Sequence, residues 1–253
     1  MQCPITVAQQ RLKQVEESQM SKQQVGIGLV GSGFMGRCHA NAFRAVSGVF
    51  DVSLEPRLEI LADASYELAA CAAQALGFRR STGDWRSLVA DEAVDIVAIT
   101  APNVLHAPIA HAAITAGKTV YCEKPLSTTA AQALEMTEAA EAAGVVTLVG
   151  FNFLRNPMIK LAREIIDSGE IGEVTGFRGR HAENYMADPE VPHSFRTDPQ
   201  GGGALADIGS HIISMARYLL GPMAEVQADC RTIHRSRPIY GKSEKPRALS
   251  GLR

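Results

Sequence analysis

Three groups of residues in this sequence could do chemistry, and the first is a glycine string. In Gly31-Ser32-Gly33-Phe34-Met35-Gly36 the first glycine permits a tight turn and the second lets a pyrophosphate approach the backbone. The third lets a following helix pack closely on the strand before it, and the helix N-terminus offers free N–H groups and partial positive charge to the same anion. Further on, the apolar run LEILAD ends at Asp63, whose carboxylate can accept hydrogen bonds from ribose hydroxyls. Asp63 stands 27 residues past Gly36, longer than the usual spacing of about 20. The excess is expected as a loop insertion around SGVFDVSLEP. An acid at this position would repel a 2′-phosphate, which favours NAD over NADP, although Arg57 and Arg79 could reach the same site and admit NADP. The bland alternative is a structural glycine turn with Asp63 capping the next helix.

The second group lies at the carboxyl ends of two expected strands, the edge at which α/β sheets bind ligands. The strand DIVAIT ends at Thr100 and is followed by Pro102, Asn103 and His106, while TVYC runs into Glu123-Lys124-Pro125. The third group is Asp207 and His211, four apart on an expected helix and so projecting from one face. They follow Gly201-Gly202-Gly203, where a ligand could come close to the backbone. Taken singly, Glu-Lys-Pro could be a solvated turn, and Asp207 with His211 a surface pair. No nucleophile elbow is present, and the histidines and cysteines lack metal-ligand spacing, so no metal is expected.

The elements that must position these groups alternate. Apolar runs at Val25 to Val30, 58 to 63, 95 to 100, 119 to 125 and 147 to 153 are separated by alanine-rich stretches of helix length such as SYELAACAAQAL and TTAAQALEMTEAAEAAG. Short, near-continuous apolar strands alternating with helices predict a doubly wound parallel α/β sheet over residues 25–151. Past Phe153 the rhythm breaks. MIKLAREIIDSGEIG predicts a helix, VTGFRGRHAENY a strand, ALADIGSHIISMARYLLG a helix and AEVQADCRTIH a strand, which reads as an incomplete α+β domain over 152–253. Residues 1–24 are expected as a polar leader outside the fold, with Met20 as an alternative start. The tail from Arg235 is basic and unpatterned.

Composition narrows the setting. Over 253 residues the net charge is −2, with 46% hydrophobic and 21% charged residues, so no basic field points to nucleic acid. No apolar run nears the ~20 residues that span a bilayer. Five scattered cysteines without a Cys-x-x-Cys pair fit a reducing cytoplasm better than a disulfide scaffold.

In the order GSGFMG, then EKP, then GGGALADIGSHIISMARYLLG, the chain resembles the Gfo/Idh/MocA oxidoreductases from about Val25 to about His234, and FNFLRNPMIKLAREIIDSGEIGEV fits their domain crossing. The resemblance implies an N-terminal Rossmann domain and a C-terminal domain on a large, mostly antiparallel sheet that usually carries the oligomer contact. It implies that Lys124 hydrogen-bonds the reacting oxygen, that His211 is the general base, and that Asp207 is its acidic partner. Glu123 and Pro125 would shape the nicotinamide pocket, Pro125 through a cis bond, and Asn103 and His106 would line the cofactor, with Asn152 in the crossing segment near it. An imidazole near its usual pKa of about 6.5 suits the base role. The substrate implied is a sugar, inositol or similar polyol, with Tyr185, His193 and Arg196 as candidate hydroxyl binders. Typical members are longer, so the chain reads as truncated. A glycosidase using NAD transiently and a cofactor-binding protein without catalysis are the competing readings.

Overall fold

A computed structural model describes residues 23–198, residues 201–239 and the backbone of 247–248. Most of the leader, the alternative start at Met20, Cys3 and most of the tail beyond residue 239 lie outside the described residues.

The chain divides into two compact units, residues 1–101 with 112–120 and residues 102–111 with 121–253. The first is built on β1 (Gln23–Val30), whose last five residues are all buried. An unbroken apolar strand of this kind needs cover on both faces. β1 pairs in parallel with β2 (Leu54–Ala62) and with β4 (Ile96–Ile99), and β2 pairs in parallel with β3 (Arg80–Thr82). With β5 (Thr119–Cys122) and β6 (Thr147–Val149), the sheet order is β3-β2-β1-β4-β5-β6. The helices between these strands are α1 (Phe34–Val49), α2 (Tyr66–Leu76), α3 (Trp85–Ala90), α4 (His106–Thr115) and α5 (Ala130–Ala143), of which α5, like β6, belongs to the second unit.

Local chemistry sets the helix ends. Ser65 and Thr129 accept hydrogen bonds from Leu68 and Gln132 at the starts of α2 and α5, while Gly77 and Gly144 close them in the left-handed region. Alanines on the inner faces, Ala40 on α1 with Ala69 and Ala73 on α2, let these helices settle on Ile27, Leu29 and Leu61 of the sheet. Contact is tighter still at Gly26, where a Cβ would stand 1.8 Å from the backbone oxygen of Ala93. Gly26→Ala is therefore expected to cost about 1–3 kcal/mol or more, read as a lower urea midpoint. An unchanged midpoint would mean that β1 and the 91–95 turn separate easily.

Two expectations change here. The surplus between Gly36 and Asp63 is not a loop: α1 runs 16 residues, β2 runs nine, and only residues 50–53 connect them. β1 begins at Gln23, two residues into the expected leader.

In the second unit, α6 (Pro157–Asp167) starts with Pro157 at its first turn and Asn156 capping Met158. A five-residue π-turn, Leu205–Gly209, leads into α7 (Ser210–Leu220). The strands expected at 174–185 and 224–234 are not strands: both segments are mostly exposed and carry no ladder. A strand exists by pairing its backbone, and among the described residues neither segment has a partner. The only ladder described in this region is the two-residue antiparallel pair β7 (Ser236–Arg237) with β8 (Arg247–Ala248).

Candidate active site

The glycine string sits where β1 hands over to α1, in the first unit. Gly31 has φ 96°, and a Cβ there would press on the carbonyl of Thr100 at 2.8 Å. Thr100 in turn donates its hydroxyl to the carbonyls of Val30 and Gly31 at 3.0 and 2.8 Å, tying the end of β4 to the loop. A Cβ on Gly36 would lie 2.1 Å from the Gly31 oxygen, so this glycine is what lets α1 come down on the turn. Gly33 differs: nothing lies within 4 Å of its missing Cβ. It caps α1 without any side-chain hydrogen bond, and the first turn holds no acid. The helix therefore presents free N–H groups and its positive end beside open space, which fits a pyrophosphate. Phe34 is exposed and Met35 half-buried beside this opening.

Asp63 follows the last residue of β2. Its carboxylate accepts from the backbone N–H of Ser32 at 2.8 Å, from the Ser32 hydroxyl and from the backbone N–H of Ala64. The two arginines that could have favoured a 2′-phosphate are drawn to Glu59: Arg57 Nε lies 2.7 Å and Arg79 3.9 Å from its carboxylate.

The second unit holds the remaining candidates. Lys124–Pro125 is a cis peptide bond, as the resemblance implies. His106, 1% exposed, holds its Nδ1 2.8 Å from the Pro125 carbonyl, which braces this turn from beneath. Buried Glu123 lies against Gly150, where a Cβ would come 2.8 Å from its carboxylate. Pro102 precedes a short 3-10 turn (Asn103–Leu105), and Asn103 donates its side-chain amide to the Gly201 carbonyl at 3.1 Å. Asn152 opens a second 3-10 turn, Asn152–Arg155, and is exposed.

Lys124 and Asp207 meet. The ammonium donates to the Asp207 carbonyl at 2.6 Å and to Oδ1 at 3.1 Å, which leaves one of its three N–H groups for another acceptor. Oδ2 of Asp207 accepts from the Tyr185 hydroxyl and lies 3.2 Å from Arg196 Nε. Burial would raise this carboxyl, but the hydrogen bonds from Tyr185 and Lys124 outweigh it and hold the group below the usual carboxylate range.

His211 does not hydrogen-bond to Asp207. The π-turn takes in an extra residue per turn, so the i, i+4 stacking of a regular α-helix does not apply between them. Its ring is 8% exposed and lies edge-on to Phe153 and Phe151, at 4.7 and 6.2 Å between centroids, with His181 at 5.7 Å. Nδ1 is buried and has no partner among the described residues. Burial first, then the nearby positive charge of Lys124, push the imidazole down to about 4, against the pull of Glu123 and Asp207. The expectation of a value near 6.5 is thereby corrected. Phe151 and Phe153 were unreadable as site residues because they follow a strand pattern like any apolar pair.

A titration checks this environment. With a folded value below the unfolded one, the unfolded chain takes up the extra proton. His211's share of stability is therefore full above about pH 6.5 and declines as pH falls toward 4. By NMR the His211 ring resonances should stay in the neutral position down to about pH 5. A midpoint near 6.5 would show that the aromatic box is open to water.

A glycine turn at the first crossover of a parallel sheet ordered 3-2-1-4-5-6, with an acid ending the second strand, defines a Rossmann-type dinucleotide-binding protein. Comparison with known proteins narrows the class. Residues 25–151 match the NAD-binding Rossmann fold of the GFO_IDH_MocA oxidoreductase family, and residues 159–246 match the GFO/IDH/MocA C-terminal domain. The chain belongs to the Gfo/Idh/MocA oxidoreductase family, and its Rossmann domain is an NAD-binding one.

Among relatives, it is 42% identical over 220 residues to levoglucosan dehydrogenase of Pseudarthrobacter phenanthrenivorans, covering 86% of this chain and 56% of that protein. It is 34% identical to inositol 2-dehydrogenase of Rhizobium meliloti, covering 78% of this chain and 55% of that one. A solved levoglucosan dehydrogenase in complex with NADH and levoglucosan superposes with TM-score 0.84 at 42% identity, over 86% of this chain and 59% of its own. An NAD binding oxidoreductase from Klebsiella pneumoniae gives 0.82 at 46% identity, over 89% and 60%. The chain spans about half the length of the curated relatives it matches. No helix among the described residues is long and apolar enough to cross a membrane.

Proposed function

We propose that this protein is an NAD-dependent oxidoreductase of the cytoplasm that transfers hydride between nicotinamide and a secondary alcohol or ketone of a sugar, inositol or related polyol. The observation that carries the reading is Lys124: an ammonium fixed by two bonds to Asp207, with one donor left over. The glycine cradle and Asp63 would hold the dinucleotide, and Thr100, Pro102, Asn103, His106, Glu123, Pro125 and Asn152 would shape its surroundings. We place the boundary between cofactor and substrate domains near residue 152. Relatives named for levoglucosan, inositol and D-xylose support a cyclic polyhydroxy substrate.

Bound NAD would supply the hydride acceptor. Lys124 would donate its remaining N–H to the reacting oxygen and stabilise negative charge developing there, and charge on that atom is where a fixed donor gains most. His211, neutral across the physiological range, is in the form that accepts a proton. The charges of Glu123 and Asp207 offset only part of the burial and of the Lys124 charge that disfavour the imidazolium, so a proton taken up there would be passed on readily.

The preference for NAD rests on Asp63 and on the engagement of Arg57 and Arg79 by Glu59. Calorimetric titration should find NADH bound tighter than NADPH, and the reverse order would remove Asp63 from the ribose. Incubation with NAD and a panel of levoglucosan, myo-inositol and D-xylose should produce NADH with at least one. A folded chain that binds NADH and oxidises none would favour the non-catalytic reading, and free sugar released from glycosides without net NADH would favour the glycosidase.

A further inference from the structure

We propose that Tyr185 and Arg196 are positioning residues that grip the far oxygen of Asp207, and that they do not bind substrate hydroxyls as their residue types first suggest. The proposal rests on the oxidoreductase reading for its kinetic consequence, but the geometry stands by itself.

Asp207 is held at both ends. Oδ1 receives Lys124 at 3.1 Å, while Oδ2 receives the Tyr185 hydroxyl and Arg196 Nε. A carboxylate with all its strong partners charged or hydroxylic has little freedom to rotate, and Lys124 takes its aim from it. Arg196 is itself steadied, its guanidinium lying 4.5 Å from the centre of the Phe195 ring and 5.8 Å from that of Tyr185. A cavity of about 430 Å³ opens beside these groups, lined by Tyr185, Arg196, Asp207, Cys230, His234 and Arg237. A hydroxyl-binding tyrosine would point its oxygen into that space; this one commits it to Asp207. Burial, and then the bond to Asp207, push the phenol up to about 12, so it remains a donor at any working pH.

The loop that carries both residues is strapped from below. Arg237, 5% exposed, donates to the carbonyls of Asp188 and Val191 at 2.8 and 3.0 Å and to that of Met186. No carboxylate among the described residues pairs with it. The His193 N–H donates to the Pro238 carbonyl at 2.8 Å, and His234 Nε2 lies 3.0 Å from the Ala187 carbonyl. A buried guanidinium spent on three main-chain oxygens is a device for fixing a loop, and the residues the loop delivers to Asp207 are Tyr185 and Arg196.

The test is Tyr185→Phe, which keeps the ring and removes one O–H, alongside Arg196→Gln and Arg196→Lys. With the best sugar substrate, kcat of Tyr185→Phe should fall about tenfold, the value of one hydrogen bond to a charged group, with KM unchanged. Arg196→Lys should recover part of what Arg196→Gln loses. A raised KM at unchanged kcat would make Tyr185 a substrate binder and overturn the proposal. A second readout needs no turnover: acetylation of Lys124 by acetic anhydride, followed by peptide mass spectrometry, should be several-fold faster in Tyr185→Phe of intact circular dichroism. Equal labelling in parent and variant would also overturn it. If the parent oxidises no sugar, the oxidoreductase reading fails by itself and the labelling still decides the positioning role.

Discussion

Lys124→Met is expected to lower turnover by about 10²–10³-fold, the loss measured when one fixed donor to a developing oxyanion is removed, while NADH affinity stays close to that of the parent. Methionine has nearly the length and volume of the lysine stem, so the half-buried site keeps its packing. Asp207 loses the donor on Oδ1 but keeps Tyr185 and Arg196 on Oδ2. What disappears is the ammonium and its spare N–H. The hydrogen bonds that shape the glycine loop and hold Asp63 come from Ser32, Ala64 and Thr100, so the dinucleotide should bind as before. The two quantities are read separately, by steady-state kinetics and by calorimetry. Unchanged kcat would take Lys124 out of the chemistry, whereas loss of NADH binding would place it in the cofactor pocket.

Gly33→Asp should split stability from binding. The residue caps α1 with φ −63° and ψ −167°, a conformation open to any side chain, and nothing lies within 4 Å of its missing Cβ. Aspartate is a better cap than glycine by a few tenths of a kcal/mol and also suits the positive end of the helix, so the thermal midpoint should hold or rise slightly. The same carboxylate would stand where the pyrophosphate comes. Two unit charges about 4 Å apart at an effective dielectric near 20 repel by roughly 4 kcal/mol, so NADH affinity should fall at least about 100-fold. Retained affinity would show that the pyrophosphate lies elsewhere. A lowered midpoint would show that the cap is occupied in a way its geometry does not reveal.

How far the residues disclosed this architecture depended on length and on partners. β1, β2, β4 and β5, with the alanine-rich helices between them, were legible because each carries its own period over several residues. β3, three residues of Arg-Ser-Thr, and α3, six residues, were not, since neither is long enough to repeat a pattern. The error ran the other way at 174–185 and 224–234, which read as strands. A strand also needs a neighbour for its backbone, and that is not written in the segment. Lys124, Asp207 and His211 were singled out as candidates by type, spacing and resemblance. Their mutual arrangement was not legible, because a π-turn at 205–209 changes which residues share a face. The grip of Tyr185 and Arg196 on Asp207 spans 22 residues or fewer in sequence and leaves no periodic trace.

The cluster around Glu59 also bears on how copies of this chain treat one another. Glu59 is 6% exposed, and Arg80, the first residue of β3, reaches both it and Asp91, while Arg57 closes on it from within β2. β3 ends the sheet order, so its outer rim is where a stray strand from a neighbouring molecule could dock. That rim is three residues long and begins with a guanidinium anchored to two carboxylates. An incoming strand would find few rungs to climb and would have to part several ion pairs to flatten the edge. The same charges that fasten β3 make this edge of the sheet a poor seed for intermolecular β-stacking, a safeguard that matters most at the high local concentrations of synthesis.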